Sequence, residues 1–326
     1  MALLSVISPS FHLRYGLAVF FWLLFAGVAA AETSTILSLH NSKTSLTVLN
    51  AVNVTSLRMI VESDNILNVN LAKLQSLHDS GVRVLLSVRY REVPVDADAA
   101  LANFSVFASN VGPLIHTLIL GNEPDSEYDS ASKETNPATG TIYAMEWIKE
   151  LAIAADTVRR SSSSTAVGDD PDPALAFLIA NPEPNIRYNT VNGWSCSNAD
   201  GWPAQLLKVG ADGASNGTID LQDVHLHMPD MTTLQKAVKK VQACTTNVQL
   251  LSTEWSQAPI VSTSGWLKDN CELNSSITNG DFINSCYHFP VSQDTWSAFV
   301  STAPYNASFM GETMNFFQSE GFAAAA

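Results

Sequence analysis

Positive charge is scarce in this chain: 17 Lys and Arg stand against 31 Asp and Glu among 326 residues, a formal net charge of −14. A protein that neutralises phosphates needs a basic face, so nucleic acid and an anionic membrane surface are excluded as partners, and a neutral one fits better. Cysteine is also sparse. There are four, at 196, 244, 271 and 286, with no C-x-x-C spacing and no H-E-x-x-H, so no cysteine metal site and no zincin motif is present. The G-x-G-x-x-G of a dinucleotide fold is missing as well, which argues against a doubly wound open sheet. No metal or organic cofactor is implied. Beyond the N-terminal region no apolar run is long enough to span a bilayer.

Near the N-terminus, Arg14 precedes the uncharged run "GLAVFFWLLFAGVAAA", which closes on the small residues Ala29, Ala30 and Ala31. That pattern predicts a cleaved secretory signal over residues 1–31 and a mature chain over 32–326, with an uncleaved membrane anchor as the competing reading. Secretion places the protein outside the cell, away from the membrane after cleavage, and it is read as a monomer. The even cysteine count then suits two disulfides with three possible connectivities. Cys271 with Cys286 and Cys196 with Cys244 is preferred because the first pair closes a local loop. Five N-x-S/T sequons begin at Asn53, Asn103, Asn216, Asn274 and Asn306 and suit glycosylation along that route.

The remaining chain has no low-complexity linker and reads as a single domain with a regular rhythm. Short β-rich runs occur at 35–40, 56–63, 82–90, 115–123, 165–170, 221–228, 248–255 and 297–302. Between them lie helical patterns: Leu71, Leu74 and Leu77 share a face before a capping Gly81, "TIYAMEWIKELAIAADTVRRS" is the longest such segment, and Leu234, Val238 and Val241 form a stripe. Near-continuous apolar strands alternating with amphipathic helices predict a parallel sheet covered by helices. Eight units in this length predict a single-domain α/β protein, a (β/α)8 TIM barrel, a fold that typically takes ~250 residues. The stretch from Asn181 to Gly217 and the stretch from Ser256 to Gln293 read as irregular insertions.

Two strand runs end on glutamate. "LILGNEPD" carries Glu123 at the end of the fourth and "LLSTEWSQ" carries Glu254 at the end of the seventh. In a barrel these ends open on one face, and two opposed carboxyls are what glycoside hydrolysis requires, one to donate a proton and one to stay ionised. These motifs resemble the acid/base and nucleophile signatures of clan A glycoside hydrolases, the retaining (β/α)8-barrel glycosidases, over about residues 35 to 322. The resemblance implies a glycosidase acting on a carbohydrate, with Glu123 as acid/base, Glu254 as nucleophile and Asn122 bonding the sugar 2-hydroxyl. It further implies that Arg58 holds the nucleophile ionised and that His225 is the strand-six histidine of many members. His227 stands where members often carry tyrosine, and the tryptophan common at the end of strand eight is not evident. About 24 residues follow the last run, enough for one closing helix. An endo-acting enzyme on a β-linked glucan or related polysaccharide is what the family analogy suggests.

Plainer readings compete. Glu123 before Pro124 suits a helix N-terminus, Glu254 a salt-bridged strand end, and Arg58 an ion pair at the core rim. His225 and His227, two apart on a strand, share a side and permit metal ligation with a carboxylate such as Asp169, Asp170 or Asp223, although hydrogen bonding in the pocket is favoured. Trp255 is the tryptophan expected to offer its face to sugar, ahead of Trp194, Trp202 and Trp266. "GASNG" at 213–217 matches the nucleophile elbow G-x-S-x-G, but a strand-like run follows it where a helix is required. A carbohydrate-binding protein on a catalytically inactive barrel is the alternative from another functional class.

Overall fold

A computed structural model describes residues 38–40, 55–163, 177–182, 185–187, 202–257 and 308–323. All of them belong to one of the two compact units into which the chain divides. The expected signal, the runs at 165–170 and 297–302, three of the four cysteines, the sequons at Asn53, Asn274 and Asn306, Asp169, Asp170, Trp194, Trp266 and the side chain of Trp202 lie outside the described residues.

The strands are β1 (Ser38–His40), β2 (Ser56–Glu62), β3 (Arg83–Arg89), β4 (Thr117–Ile119), β5 (Leu178–Asn181), β6 (Asn185–Arg187), β7 (Leu221–Met228) and β8 (Gln249–Gln257). They form one sheet in which every pairing is parallel. β8 runs along β7 from Leu221 to Met228, while β5 pairs with Leu221 and Gln222 and β6 with His225 to His227. A strand has two edges, so β5 and β6 share the second edge of β7 as one interrupted strand. The sequence between β5 and β6, Pro182-Glu183-Pro184, carries two prolines, whose nitrogens cannot donate to a ladder. The strand between β4 and β7 is therefore "LIAN" continued by β6, and from Asn181 on it lies in the stretch expected to be irregular.

The helices are α1 (Leu71–Asp79), α2 (Ala97–Val111), the single turn α3 (Pro124–Glu127), α4 (Tyr143–Ser163), α5 (Trp202–Asn216), α6 (Met231–Cys244) and α7 (Phe309–Ser319). Local chemistry starts three of them: Asn70, Asp96 and Asp230 accept from the backbone N–H three residues on, at 2.9, 3.0 and 2.8 Å. α1 ends as its sequence predicts. Gly81 at φ +74° donates to His78 O (2.9 Å) and Val82 to Leu77 O (3.0 Å), the paired bonds of a Schellman motif. Leu74 and Leu77 are buried, whereas Leu71, in the first turn, is exposed. α5 replaces the loop expected around Gly213. Ser215 lies in its last turn and donates to Ala211 O at 2.9 Å, so "GASNG" is no nucleophile elbow.

Side chains alternate between the two faces of the sheet. On the helix side, Val224, Leu226 and Met228 of β7 and Leu250 of β8 pack with Leu207, Leu234, Val238, Val241, Phe309 and Phe317. On the other side, Leu85, Ile119, Ala180, Leu221 and Leu251 form a smaller cluster beneath the strand ends. Cys244 closes α6. Among the described residues no helix is long and apolar enough to cross a membrane.

Candidate active site

Strands β2, β7 and β8 and the turn that follows β4 bring Arg58, Asn122, Glu123, His225, His227 and Glu254 together. Arg58 is fully buried, and its guanidinium divides its donors. Nη1 reaches Glu254 Oε1 at 2.5 Å, Nη2 reaches Asn122 Oδ1 at 2.6 Å, and Nε points to Ser87 Oγ at 3.4 Å. A planar fork is what allows one cation to fix a carboxylate on β8 and an amide beyond β4 at once. Burial pushes the carboxyl of nearby Glu127 up, while Asn122 and the Arg89 charge oppose the shift. Arg89 in turn bonds Glu62 through Nε at 2.9 Å and Glu127 at 3.2 Å.

Glu123 combines both readings of its sequence. Its carbonyl accepts from Ser126 and Glu127 at 2.9 and 2.8 Å, which starts α3 with Pro124 in the first turn. Its backbone lies at φ 36°, ψ 58°, the left-handed region, and among the described residues no other non-glycine has a positive φ. Glutamate there is strained, by about 1–3 kcal/mol, and such strain persists only where the surroundings impose it. The consequence is that the chain turns into α3 while the side chain reaches β7: Oε1 lies 3.0 Å from His225 Nδ1 and Oε2 accepts from Ser126 Oγ at 2.9 Å.

A bulge in β8 decides which residue faces the site. Asp223 pairs with Leu251, but His225 pairs with Glu254, so three residues of β8 span two of β7. One extra residue exchanges the faces of everything after it. In unbroken alternation Glu254 would follow Leu250 onto the helix side; with the bulge it stands beside His225, whose Nδ1 is 3.7 Å from Glu254 Oε2. Trp255 takes the helix side instead. Its ring meets Phe317 edge-on at 5.7 Å and Phe309 at 6.5 Å. The sugar platform expected at Trp255 is therefore corrected: the indole belongs to the core under α7.

Each of Glu123, His225, His227 and Glu254 offers one ligand atom, and these lie within 4.8 Å of one another. Tetrahedral zinc, with bonds of about 2.0–2.1 Å, needs a tighter set. Moreover, Glu254 is engaged by Arg58 and His225 by Glu123, so the arrangement is one of hydrogen bonds and an ion pair. His227 places its ring 6.1 Å from that of His225, at 76°. Two residues that the motif reading did not assign to catalysis also enter the cluster. Thr253, hidden in the bulge, lies 3.2 Å from His225 Nε2 through Oγ1, and Asp223 accepts from Thr253. The carboxylate of Asp223 was visible in "DVHLHM", but the bulge that brings Thr253 to it has no sequence signal.

No family model and no curated protein sequence matches the chain. Among solved structures it is similar to a beta-glucosidase from Exiguobacterium marinum, at 9% identity over 78% of this chain and 74% of that one, TM-score 0.42. It is similar also to the AHE enzyme from Alicyclobacillus herbarius, at 14% identity over 79% and 73%, TM-score 0.41. A Thermotoga maritima family 1 glycoside hydrolase, solved with a cyclophellitol analogue transition-state mimic, matches at 14% identity over 79% and 73%, TM-score 0.37.

Proposed function

We propose that this chain is a retaining glycoside hydrolase in which Glu123 is the acid/base and Glu254 the nucleophile. The observation that carries the reading is that one carboxylate oxygen of Glu123, beyond β4, and one of Glu254, on β8, lie within 4.8 Å of each other. Retaining enzymes hold their carboxyls about 5–5.5 Å apart, whereas inverting ones leave room for water at about 6.5–9.5 Å. Arg58 pairs with Glu254 and presents it as a carboxylate able to attack an anomeric carbon, while Asn122, held by Arg58, stands where a sugar hydroxyl would meet it.

In the first step Glu254 attacks the anomeric carbon as the glycosidic bond breaks, and Glu123 gives its proton to the departing oxygen. In the second, Glu123 takes a proton from water, whose oxygen displaces Glu254. Secretion, and a β-linked glucan or related polysaccharide as substrate, complete the proposal on the strength of the N-terminal pattern and the motif resemblance.

The test is reducing-end release from a panel of polysaccharides and defined oligosaccharides. Glu254→Ala and Glu123→Ala are each expected to lower turnover by at least about 10²-fold, and a 2-fluoro glycoside should add one glycosyl mass to the wild-type chain at Glu254. Binding without sugar release by the unmutated protein would favour the carbohydrate-binding alternative.

A further inference from the structure

Asp223 is a buried acid that the two-carboxylate reading leaves unused. Its oxygens accept the Thr253 amide at 2.9 Å and the Thr253 hydroxyl at 2.5 Å. The same hydroxyl oxygen lies 3.2 Å from His225 Nε2, and on the far side of the ring Nδ1 lies 3.0 Å from Glu123 Oε1. Asp223, Thr253, His225 and Glu123 thus make one line from the protein interior to the proposed acid.

A threonine hydroxyl has a single proton. Given to Asp223, it leaves Oγ1 able only to accept, and the ring proton of His225 must then sit on Nε2. Nδ1 faces Glu123 either with a lone pair or with a second proton. In the first state Glu123 is a carboxylic acid donating to a neutral ring; in the second it is a carboxylate accepting from an imidazolium. One proton occupies the gap either way. Among the described residues the charged groups near the pair include Glu254, with Oε2 3.7 Å from Nδ1, Arg58, which Glu254 already binds, and Glu127, whose charge acts on Glu123. His227 stands on the same side of β7.

We propose that Asp223 and Thr253 are positioning residues that set the tautomer of His225 and so keep a transferable proton on the Glu123–His225 pair. The catalytic use of this line rests on the glycosidase reading; its hydrogen-bond polarity does not. The proton leaves with the glycosidic oxygen, which keeps the electron pair of the broken C–O bond, and it is replaced from the water that opens the glycosyl-enzyme. No further reactant is consumed.

Asp223→Asn tests the polarity. An amide nitrogen in place of Oδ2 donates to Thr253 Oγ1, the hydroxyl must then donate to Nε2, and the ring proton moves to Nδ1, which holds Glu123 as a carboxylate. Turnover of alkyl glycosides should fall by about 10²-fold, whereas aryl glycosides with acidic phenol leaving groups, which need no proton, should lose less than about tenfold. Equal losses on both classes would mean a merely structural role and overturn the proposal. Thr253→Ser should keep near wild-type turnover and Thr253→Val should reproduce the leaving-group split, which serves if Asp223→Asn does not fold. Nitrogen-15 NMR of histidine-labelled wild-type protein reads the tautomer without any substrate. A proton on Nε2 of His225 is expected, and a ring protonated on Nδ1 alone overturns the proposal however active the enzyme is. Absence of turnover on every glycoside, with Nε2 protonated, would sink the glycosidase reading and leave the line of hydrogen bonds standing.

Discussion

At Glu123 a strained backbone and the proposed acid/base side chain coincide, and the two are separable by mutation. The left-handed conformation at φ 36° is unfavourable for glutamate and far easier for asparagine, whose short polar side chain tolerates it. Glu123→Asn is therefore expected to abolish turnover while leaving the unfolding free energy no lower than that of the unmutated protein, despite the lost bonds to His225 and Ser126. Denaturant unfolding checks this, and a loss above about 2 kcal/mol would show that those bonds outweigh the strain. Arg58 illustrates a different point at the same scale. Its sequence context, "SLRMIVE", reads as a core strand with one misplaced charge, and only the positions of Glu254 and Asn122 explain why a guanidinium is tolerated without exposure.

Among the elements, the join between α5 and β7 shows how closely a helix can be set on the sheet. Gly210 of α5 lies over Gln222, whose Oε1 accepts from Asn181 Nδ2 at 2.8 Å and whose Nε2 donates to Asp223 O at 2.6 Å. A Cβ at position 210 would come 2.1 Å from Gln222 Oε1. Gly210→Ala must displace that buried amide and leave polar groups unpaired, so it is expected to destabilise by about 1–3 kcal/mol by thermal or denaturant unfolding. Gly81→Ala is the control: its Cβ meets nothing within 4 Å, so its cost is the left-handed backbone alone, about 1–2 kcal/mol. Because Gln222 adjoins Asp223, Gly210→Ala should also perturb turnover, and Gly81→Ala should not.

For the molecule as a whole, stability should weaken on mild acidification. His116, at the entry to β4, has its imidazole held below the usual histidine range by burial and by the Arg83 charge. A depressed folded value means that the neutral ring contributes its full stability above about pH 6.5, and that this is lost as pH falls through the lower folded value. Denaturant midpoints measured between pH 7.5 and 5 should therefore fall, and His116→Asn should flatten the decline. Glu62 adds loss at lower pH, because its hydrogen bond and ion pair with Arg89 hold its carboxyl below the usual range. The excess of acidic residues acts oppositely over the same interval, since approaching the isoelectric point near 4.7 relieves self-repulsion. The wild-type and His116→Asn curves must be compared, not read singly.

The sequence by itself determined the alternation of apolar strands and amphipathic helices, the end of α1 at Gly81, the stripe of Leu234, Val238 and Val241, and the two glutamates at strand ends, because periodicity and turn chemistry act over a few neighbouring residues. The tertiary structure alone decided where the strand between β4 and β7 runs, since prolines at 182 and 184 disguise one interrupted strand as a loop. It also decided that "GADGASN" is helical, a run whose local preferences favour a turn until packing against β7 overrides them. Most of all it set the faces of Glu254 and Trp255. A single extra residue in β8 exchanges them, and a bulge is fixed by pairing with a partner strand, not by the strand's own letters.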